Sequence, residues 1–227
     1  MTIFPVAFNS QQIPQENLVF WHDYNVPNCL PSGSTNAQVL NPVGVSGSLA
    51  NGAVYAPVSA SVNFPAASGN SIITTNFTTA LGNFHAIAIF RVASTTATGN
   101  YQRILDKAFS TGFYIGRNST TANSWGGGVK DGSPPYGIFA TFPDNQWQMI
   151  GLSRTGTSIK LWNKGTVVNS KTGNGTALDT TALRIGRDPA VAYGLGGWCT
   201  AALIYDRELT PDEMTQIYQY YSPRFNF

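Results

Sequence analysis

The stretch Trp147-Gln-Met-Ile-Gly-Leu-Ser-Arg154, Thr155-Gly-Thr157, Ser158-Ile-Lys-Leu-Trp162, Asn163-Lys-Gly165, Thr166-Val-Val-Asn-Ser170 decides the fold. Three runs rich in β-branched and aromatic residues are separated by two short glycine-containing breaks, a pattern of strand, hairpin, strand, hairpin, strand. Gly156, Asn163 and Gly165 supply the positive φ angles that tight hairpins need. The segment therefore predicts a three-strand antiparallel meander.

Outward from it the same grammar repeats. Strand-like runs occur at Asn17–Trp21, Ser61–Phe64, Ser71–Thr75, Phe84–Val92, Arg103–Lys107 and Gly112–Gly116, and again at Tyr136–Phe142, Ala182–Gly186 and Thr200–Tyr205. Gly, Pro, Asn and Ser bound them. Many short strands with this punctuation predict an all-β sandwich or barrel.

One helix is predicted, late in the chain. Thr210-Pro-Asp-Glu213 is a capping box, with Thr210 as N-cap, Pro211 at the first helical position and Glu213 reaching back. Leu209 and Met214 are spaced for a hydrophobic staple. Met214, Ile217, Tyr218 and Tyr221 share one apolar face, and Ser222-Pro223 is expected to end the helix, which packs on the sandwich edge. Residues 1–16 differ in kind: Pro5, Pro14 and three glutamines surround Phe4 and Phe8 without alternation. They read as an extended arm whose Phe4 and Phe8 dock on a neighbouring subunit, or else as an edge strand of the sandwich. Residues 17–227 form the single body.

Composition narrows the function. Of the 227 residues only 11% are charged, against about 25% in an ordinary domain, but 42% are hydrophobic, so a core is affordable and disorder is not expected. A net charge of +2 is too small for a dedicated nucleic-acid binder. No run approaches the ~18 apolar residues of a membrane span, and the N-terminus lacks the basic start and apolar run of a signal peptide. Synthesis in a cytoplasm is the expectation. Two cysteines, Cys29 and Cys199, are too few for a four-cysteine zinc site, and their pairing is not decided by spacing.

The chemistry-bearing residues are few. Asp206 and Glu208 are the acids with same-face strand spacing, and they run straight into the helix cap, where a structural role outweighs catalysis. Arg207 between them is placed to neutralise either. His22 adjoins Asp23, but no Gly-x-Ser-x-Gly elbow supplies a nucleophile; His85 reads as a strand residue facing solvent or a neighbour. The scattered acids Asp23, Asp131, Asp188 and Asp206 do not make a metal site by their spacing. Trp125-Gly-Gly-Gly128 lacks the Lys-Ser/Thr ending of a phosphate loop and reads as a loop or a flat glycine strand. Trp125, Asp131 and Tyr136 cluster in sequence. They are either a sugar platform, with an aromatic beside short polar side chains, or loop aromatics packed on the sandwich or on a partner. No catalytic residue, metal site or cofactor is expected.

Several stretches in order resemble a known family. Asn17-Leu-Val-Phe-Trp-His-Asp-Tyr24, Pro31-Ser-Gly-Ser-Thr35 and Gly47-Ser-Leu-Ala-Asn-Gly52 resemble the opening of LamG-like, concanavalin A-like lectin/glucanase domains, in the version seen in tailed-phage structural proteins. Phe84-His-Ala-Ile-Ala-Ile-Phe90, Lys160-Leu-Trp-Asn-Lys-Gly165, Leu183-Arg-Ile-Gly-Arg187 and Ala202-Leu-Ile-Tyr-Asp-Arg-Glu-Leu-Thr-Pro-Asp-Glu-Met214 continue the likeness to about residue 225. The resemblance implies a two-sheet antiparallel jelly-roll sandwich with one short C-terminal helix. The Glu-x-Asp-x-x-Glu strand of the family's glucanases is missing, which argues against hydrolysis. The fold that the likeness implies hosts lectins, hydrolases and structural modules alike. The missing export signal, the Thr/Asn/Ser-rich polar face and an N-terminal arm suited to docking on a neighbour turn the expectation toward a non-enzymatic virion protein: a capsid decoration, head-fibre or tail-associated subunit. It would be multicopy or homo-oligomeric, contact other virion proteins, and touch host surface glycans weakly. The alternative it leaves is a carbohydrate-binding module or glycan-active enzyme of the same superfamily.

Overall fold

The computed structural model describes residues 13–24, 29, 36–38, 46–50, 52–56, 59–65, 72–93, 101–108, 111–117, 121, 123–130, 136–175, 178, 180–188, 194–225 and 227. In chain order its elements are β1 (Leu18–Asp23), β2 (Asn36–Gln38), β3 (Ser46–Ala50), β4 (Val54–Ala56), β5 (Ser61–Phe64), β6 (Ile72–Thr75), β7 (Phe84–Val92) and β8 (Gln102–Lys107). They continue as β9 (Phe113–Arg117), β10 (Ser124–Val129), β11 (Tyr136–Thr141), β12 (Trp147–Thr155), β13 (Ser158–Asn163), β14 (Thr166–Thr172), β15 (Arg184–Ile185), β16 (Gly197–Tyr205) and α1 (Pro211–Phe225).

Two eight-stranded sheets face each other. The first runs β14-β13-β12-β7-β16-β5-β4, with β1 also paired to β16. The second runs β11-β10-β9-β8-β15-β6-β3-β2. Every named pairing is antiparallel. This is the jelly-roll sandwich expected. The meander forms as β12-β13-β14, and its second turn carries positive φ at both Lys164 (49°) and Gly165 (88°), the signature of a type I′ hairpin.

The inter-sheet core takes Phe84, Ala86, Ala88, Phe90 and Val92 from β7, with Ile150 and Leu152 from β12 and Ile104, Phe113 and Ile115 from the opposite sheet. The intervening residues Ile87 and Ile89 point the other way, yet they too are fully buried, in a second cluster with Met149, Leu203, Tyr205, Met214, Ile217 and Tyr221. The helix covers that outer face, so β7 reads as an unbroken apolar run instead of an alternating one.

Helix α1 therefore lies on a sheet face and not on the sandwich edge as expected, because the first sheet has greasy residues on both sides. Its capping box forms: Thr210 N–H donates to Glu213 Oε2 at 2.9 Å, and Glu213 N–H to Thr210 Oγ1 at 3.2 Å. Its end differs from the expectation. Pro223 sits inside the last turn and the helix runs on to Phe225. Proline costs the helix one backbone donor, but the residues beyond it are anchored: the Arg224 guanidinium donates to buried Asp23 at 2.8 Å and lies 4.1 Å over the Tyr220 ring, and Phe225 packs on Trp147 at 4.7 Å.

Glycine matters most at Gly186. Its φ is 89°, and a Cβ there would collide with the Phe64 ring reaching across from the other sheet. The arm's last described residues lie on the body. Ile13 is buried in the outer cluster, and Tyr205 O–H donates to the Pro14 carbonyl at 2.9 Å. Phe4 and Phe8 lie outside the described residues. Strand β14 is the exposed edge: all seven of its residues are exposed, Val167 and Val168 among them.

Candidate functional site

An open cleft of about 520 Å³ lies where the meander meets the β16–α1 junction. Its walls come from Thr155 and Lys160 of the first hairpin, Val167 of the edge strand, Asn83 ahead of β7, and Arg207 to Pro211 at the helix entry. Lys160 and Trp162 alternate with core residues along β13, and this places both on the cleft side of the sheet.

Glu208 is the acid at its centre, and it is fully engaged. Oε1 accepts from Ser153 Oγ at 3.0 Å and lies 3.1 Å from Lys160 Nζ, while Oε2 accepts from Thr155 Oγ1 at 2.8 Å. Trp162 Nε1 donates to the same Ser153 Oγ at 2.9 Å. The second acid, Glu213, receives both guanidinium arms of Arg207, at 2.8 and 2.6 Å. That fork and the Thr210 backbone N–H hold its carboxyl down at about 2, well below the usual range. Arg207 thus neutralises Glu213 and not the flanking Asp206 or Glu208, with Glu16 at 3.8 Å as a second neighbour. The expected structural role of the Asp206–Glu208 segment agrees with this: Glu208 ties the strand-to-helix junction to the hairpin.

Beneath the cleft floor lies His85, fully buried rather than facing solvent or a neighbour, because α1 covers its side of the sheet. Leu209 N–H donates to its Nδ1 at 3.3 Å, so the ring proton sits on Nε2, which has no partner among the described residues. Burial lowers its pKa to about 3. His22 is also buried, its Nδ1 3.0 Å from Tyr24 Oη, and burial alone lowers it to about 3. Neither ring takes up a proton near neutrality. Chemically the cleft offers ammonium, guanidinium, hydroxyl and amide groups for binding, and one carboxylate, Glu208, already held by Lys160. No cluster of three His, Cys, Asp or Glu side chains suited to a metal ion occurs among the described residues.

The residues singled out in sequence are not brought together here. Trp125 is 1% exposed, tilted against Phe90 at 5.2 Å in the inter-sheet core, with its indole N–H donating to Asp144 Oδ1 at 2.8 Å. It packs on the sandwich and offers no platform to a sugar. The glycines explain why: β10 is the flat glycine strand, and Gly127 leaves room for Leu152 of the opposite sheet beside the indole. Asp131 and the Tyr136 side chain lie outside the described residues. Cys29 and Cys199 are buried thiols and not a disulfide; burial pushes the Cys199 thiol up to about 12. The cleft itself was half legible. The Asp206-Arg-Glu208 run pointed to the junction, but nothing in the sequence tied Lys160 and Thr155 to it.

No family model matches the sequence, and no curated protein does. Solved structures share the fold. A botulinum neurotoxin type C structure, from work on cell entry dependent on two ganglioside molecules, is 11% identical with a TM-score of 0.69, over 89% of this chain and 51% of that one. The binding domain of botulinum neurotoxin DC in complex with rat synaptotagmin II is 10% identical, with a TM-score of 0.69 over 89% and 51%. Trypanosoma rangeli sialidase in complex with sialic acid is 11% identical, with a TM-score of 0.66 over 91% and 33%. The chain thus spans about half the length of the toxin chains and a third of the sialidase. At this identity the likeness is one of fold: a β-sandwich of the kind that recurs in sugar- and receptor-binding proteins.

Proposed function

We propose that the chain is a non-enzymatic structural subunit of a tailed-phage particle, made in the host cytoplasm and assembled in many copies, whose jelly-roll body presents binding surfaces to neighbouring subunits and to host glycans. The observation that carries the non-enzymatic part is the state of two acids, Glu208 in the cleft wall and Glu213 paired to the cleft's Arg207. Glu208 and Glu213 are each held by a cation and further donors, and both histidines are buried in the neutral form. Hydrolysis by paired carboxyl groups needs one of them held protonated beside the bond to be cut, and the Arg207 fork does the reverse to Glu213. The ordered set of LamG-like stretches supports the phage assignment. The folds of the toxin and sialidase structures, solved in ganglioside, sialyl-sugar and receptor contexts, support a role in surface recognition. Multicopy display would raise a weak contact to a useful avidity.

Two measurements test this. Mass spectrometry of purified particles from cells producing the protein should find it as a stoichiometric component; its absence from particles would remove the virion assignment. Incubation of the full chain with host surface polysaccharide should leave the number of reducing ends unchanged, whereas steady release of new ends would identify a glycan-active enzyme instead.

A further inference from the structure

Among the described residues the outer face of the first sheet is only partly covered. Where α1 ends, one row of side chains remains at the far end of the strands. The register puts them in single file on one face: Trp147 of β12 opposite Arg91 of β7, Arg91 opposite Trp198 of β16, Trp198 opposite Asn63 of β5, and Asn63 opposite Val54 of β4. Trp147, Arg91, Trp198 and Asn63 are half-buried and Val54 is 58% exposed. Neighbouring strands lie about 4.8 Å apart, so the two indoles flank the guanidinium over about 10 Å and the whole row runs about 19 Å across the strands.

Arg91 is the unusual member. Its guanidinium lies 5.0 Å from the Trp198 ring centre, and its Nη2 donates to Asn145 Oδ1, a neutral acceptor, at 3.2 Å. Nε is buried and has no hydrogen-bond partner among the described residues. No carboxylate lies within ion-pair distance of it among the described residues. The Arg207 and Arg224 guanidinium groups, by contrast, each meet an acid. Here a cation is held against the Trp198 ring, next to Trp147 in the register, with no acid paired to it among the described residues.

We propose that this row is a binding ledge for a linear, carboxylate-bearing oligosaccharide, with the Trp147 and Trp198 faces under sugar rings and Arg91 on a carboxylate. Each part answers to one chemical need. Indole faces take the apolar C–H faces of sugar rings, a guanidinium recognises a carboxylate through paired hydrogen bonds, and Asn63 adds an amide for hydroxyls. The shape selects a chain lying across the strands: the ledge is one residue wide, bounded by the helix-covered cluster on one side and the strand ends on the other. A stable protein interface needs about 800 Å² per partner around an apolar centre, which a single file does not offer. The inference rests on the reading of the chain as a recognition module and supplies the ligand class.

The test uses the full chain and tetragalacturonate, which carries a carboxylate on each ring, with its methyl ester and tetraglutamate as comparators. Indole N–H resonances are followed by NMR during titration. The expected result is saturable shifts of two indole signals, about tenfold weaker binding of the neutral ester, and a loss of about tenfold or more in Arg91→Met and in Trp198→Ala. Trp198→Phe retains a ring and is expected to retain most binding; should Trp198→Ala fail to fold, Arg91→Met and Trp198→Phe carry the test. No saturable shift at millimolar tetragalacturonate, equal affinity for the ester, or indifference to both substitutions would overturn the ledge. Tetraglutamate bound as tightly as the sugar would overturn it in favour of an acidic protein partner. Particle composition is read separately: the ledge can fail with the subunit still in the particle, and the subunit can be absent from particles with the ledge still binding sugar.

Discussion

The two ends of one sheet face behave differently although they share strands. At the helix end β7, β12 and β16 contribute Ile87, Ile89, Met149, Ala201 and Leu203, all buried under α1. Two or three residues further along, the same strands and the same face carry Arg91, Trp147 and Trp198, which stay half-open. The switch from aliphatic to Trp/Arg occurs at the rim of the cover, where Phe225, the helix's last residue, packs on Trp147. Aliphatic side chains on a sheet serve one purpose, to be buried; indoles and guanidinium groups tolerate the boundary with water and recognise what arrives there. The change in residue type therefore separates the part of the face that holds the protein together from the part free to meet a ligand.

The widest expected gap between the two ends is in stability. Met214→Ala empties a fully buried site under the helix and should cost about 2–5 kcal/mol in denaturant titration. Trp198→Ala at the open end should cost far less, and a comparable loss there would show that the ledge is structural cover after all. Acid should act next, and on the helix end more than on the ledge. His85 is neutral and buried, with its pKa lowered from 6.5 to about 3. The unfolded chain takes up that proton below about 6.5 while the folded one does not, so stability is full above that pH and falls as pH drops toward about 3. His85→Gln should flatten a melting-temperature profile over that window by about one proton; His22, shifted in the same direction, should account for the slope that remains. Thr210→Ala removes the N-cap side chain and should cost about 1 kcal/mol, seen as a small drop in midpoint with an unchanged slope. Val54→Thr, at the exposed tip of the row, should change stability by less than about 0.5 kcal/mol, and a larger change would mark a contact made there by another part of the chain.

What could be read in the sequence was what local chemistry decides. The strand bounds Ser61–Phe64 and Phe84–Val92 and the capping box at Thr210 appear in the structure as read, because turn residues and caps act within a few positions. Of the two readings of Trp125, packing on the sandwich holds, and the space its glycine neighbours leave is filled by Leu152 from the other sheet, a contact no local pattern announces. His85 does face away from the inter-sheet core, but a helix more than a hundred residues later closes over it. Pro223 failed to stop the helix because Asp23 and Trp147, distant in sequence, hold the residues after it. The ledge was the least legible feature. Positions 54, 63, 91, 147 and 198 have no common motif and meet only through the register of five strands.

That β1 pairs with β16, and that Ile13 and Met214 close one apolar cluster, has a consequence for how the protein is made. A ribosome has to deliver the chain from Ile13 through the Met214 helix before the greasy back of the first sheet can be sealed. Until then a growing chain displays Ile87, Ile89 and Met149 to the cell, and prematurely stopped products display them permanently. Such fragments should cling to chaperones or precipitate, while full-length chains do not.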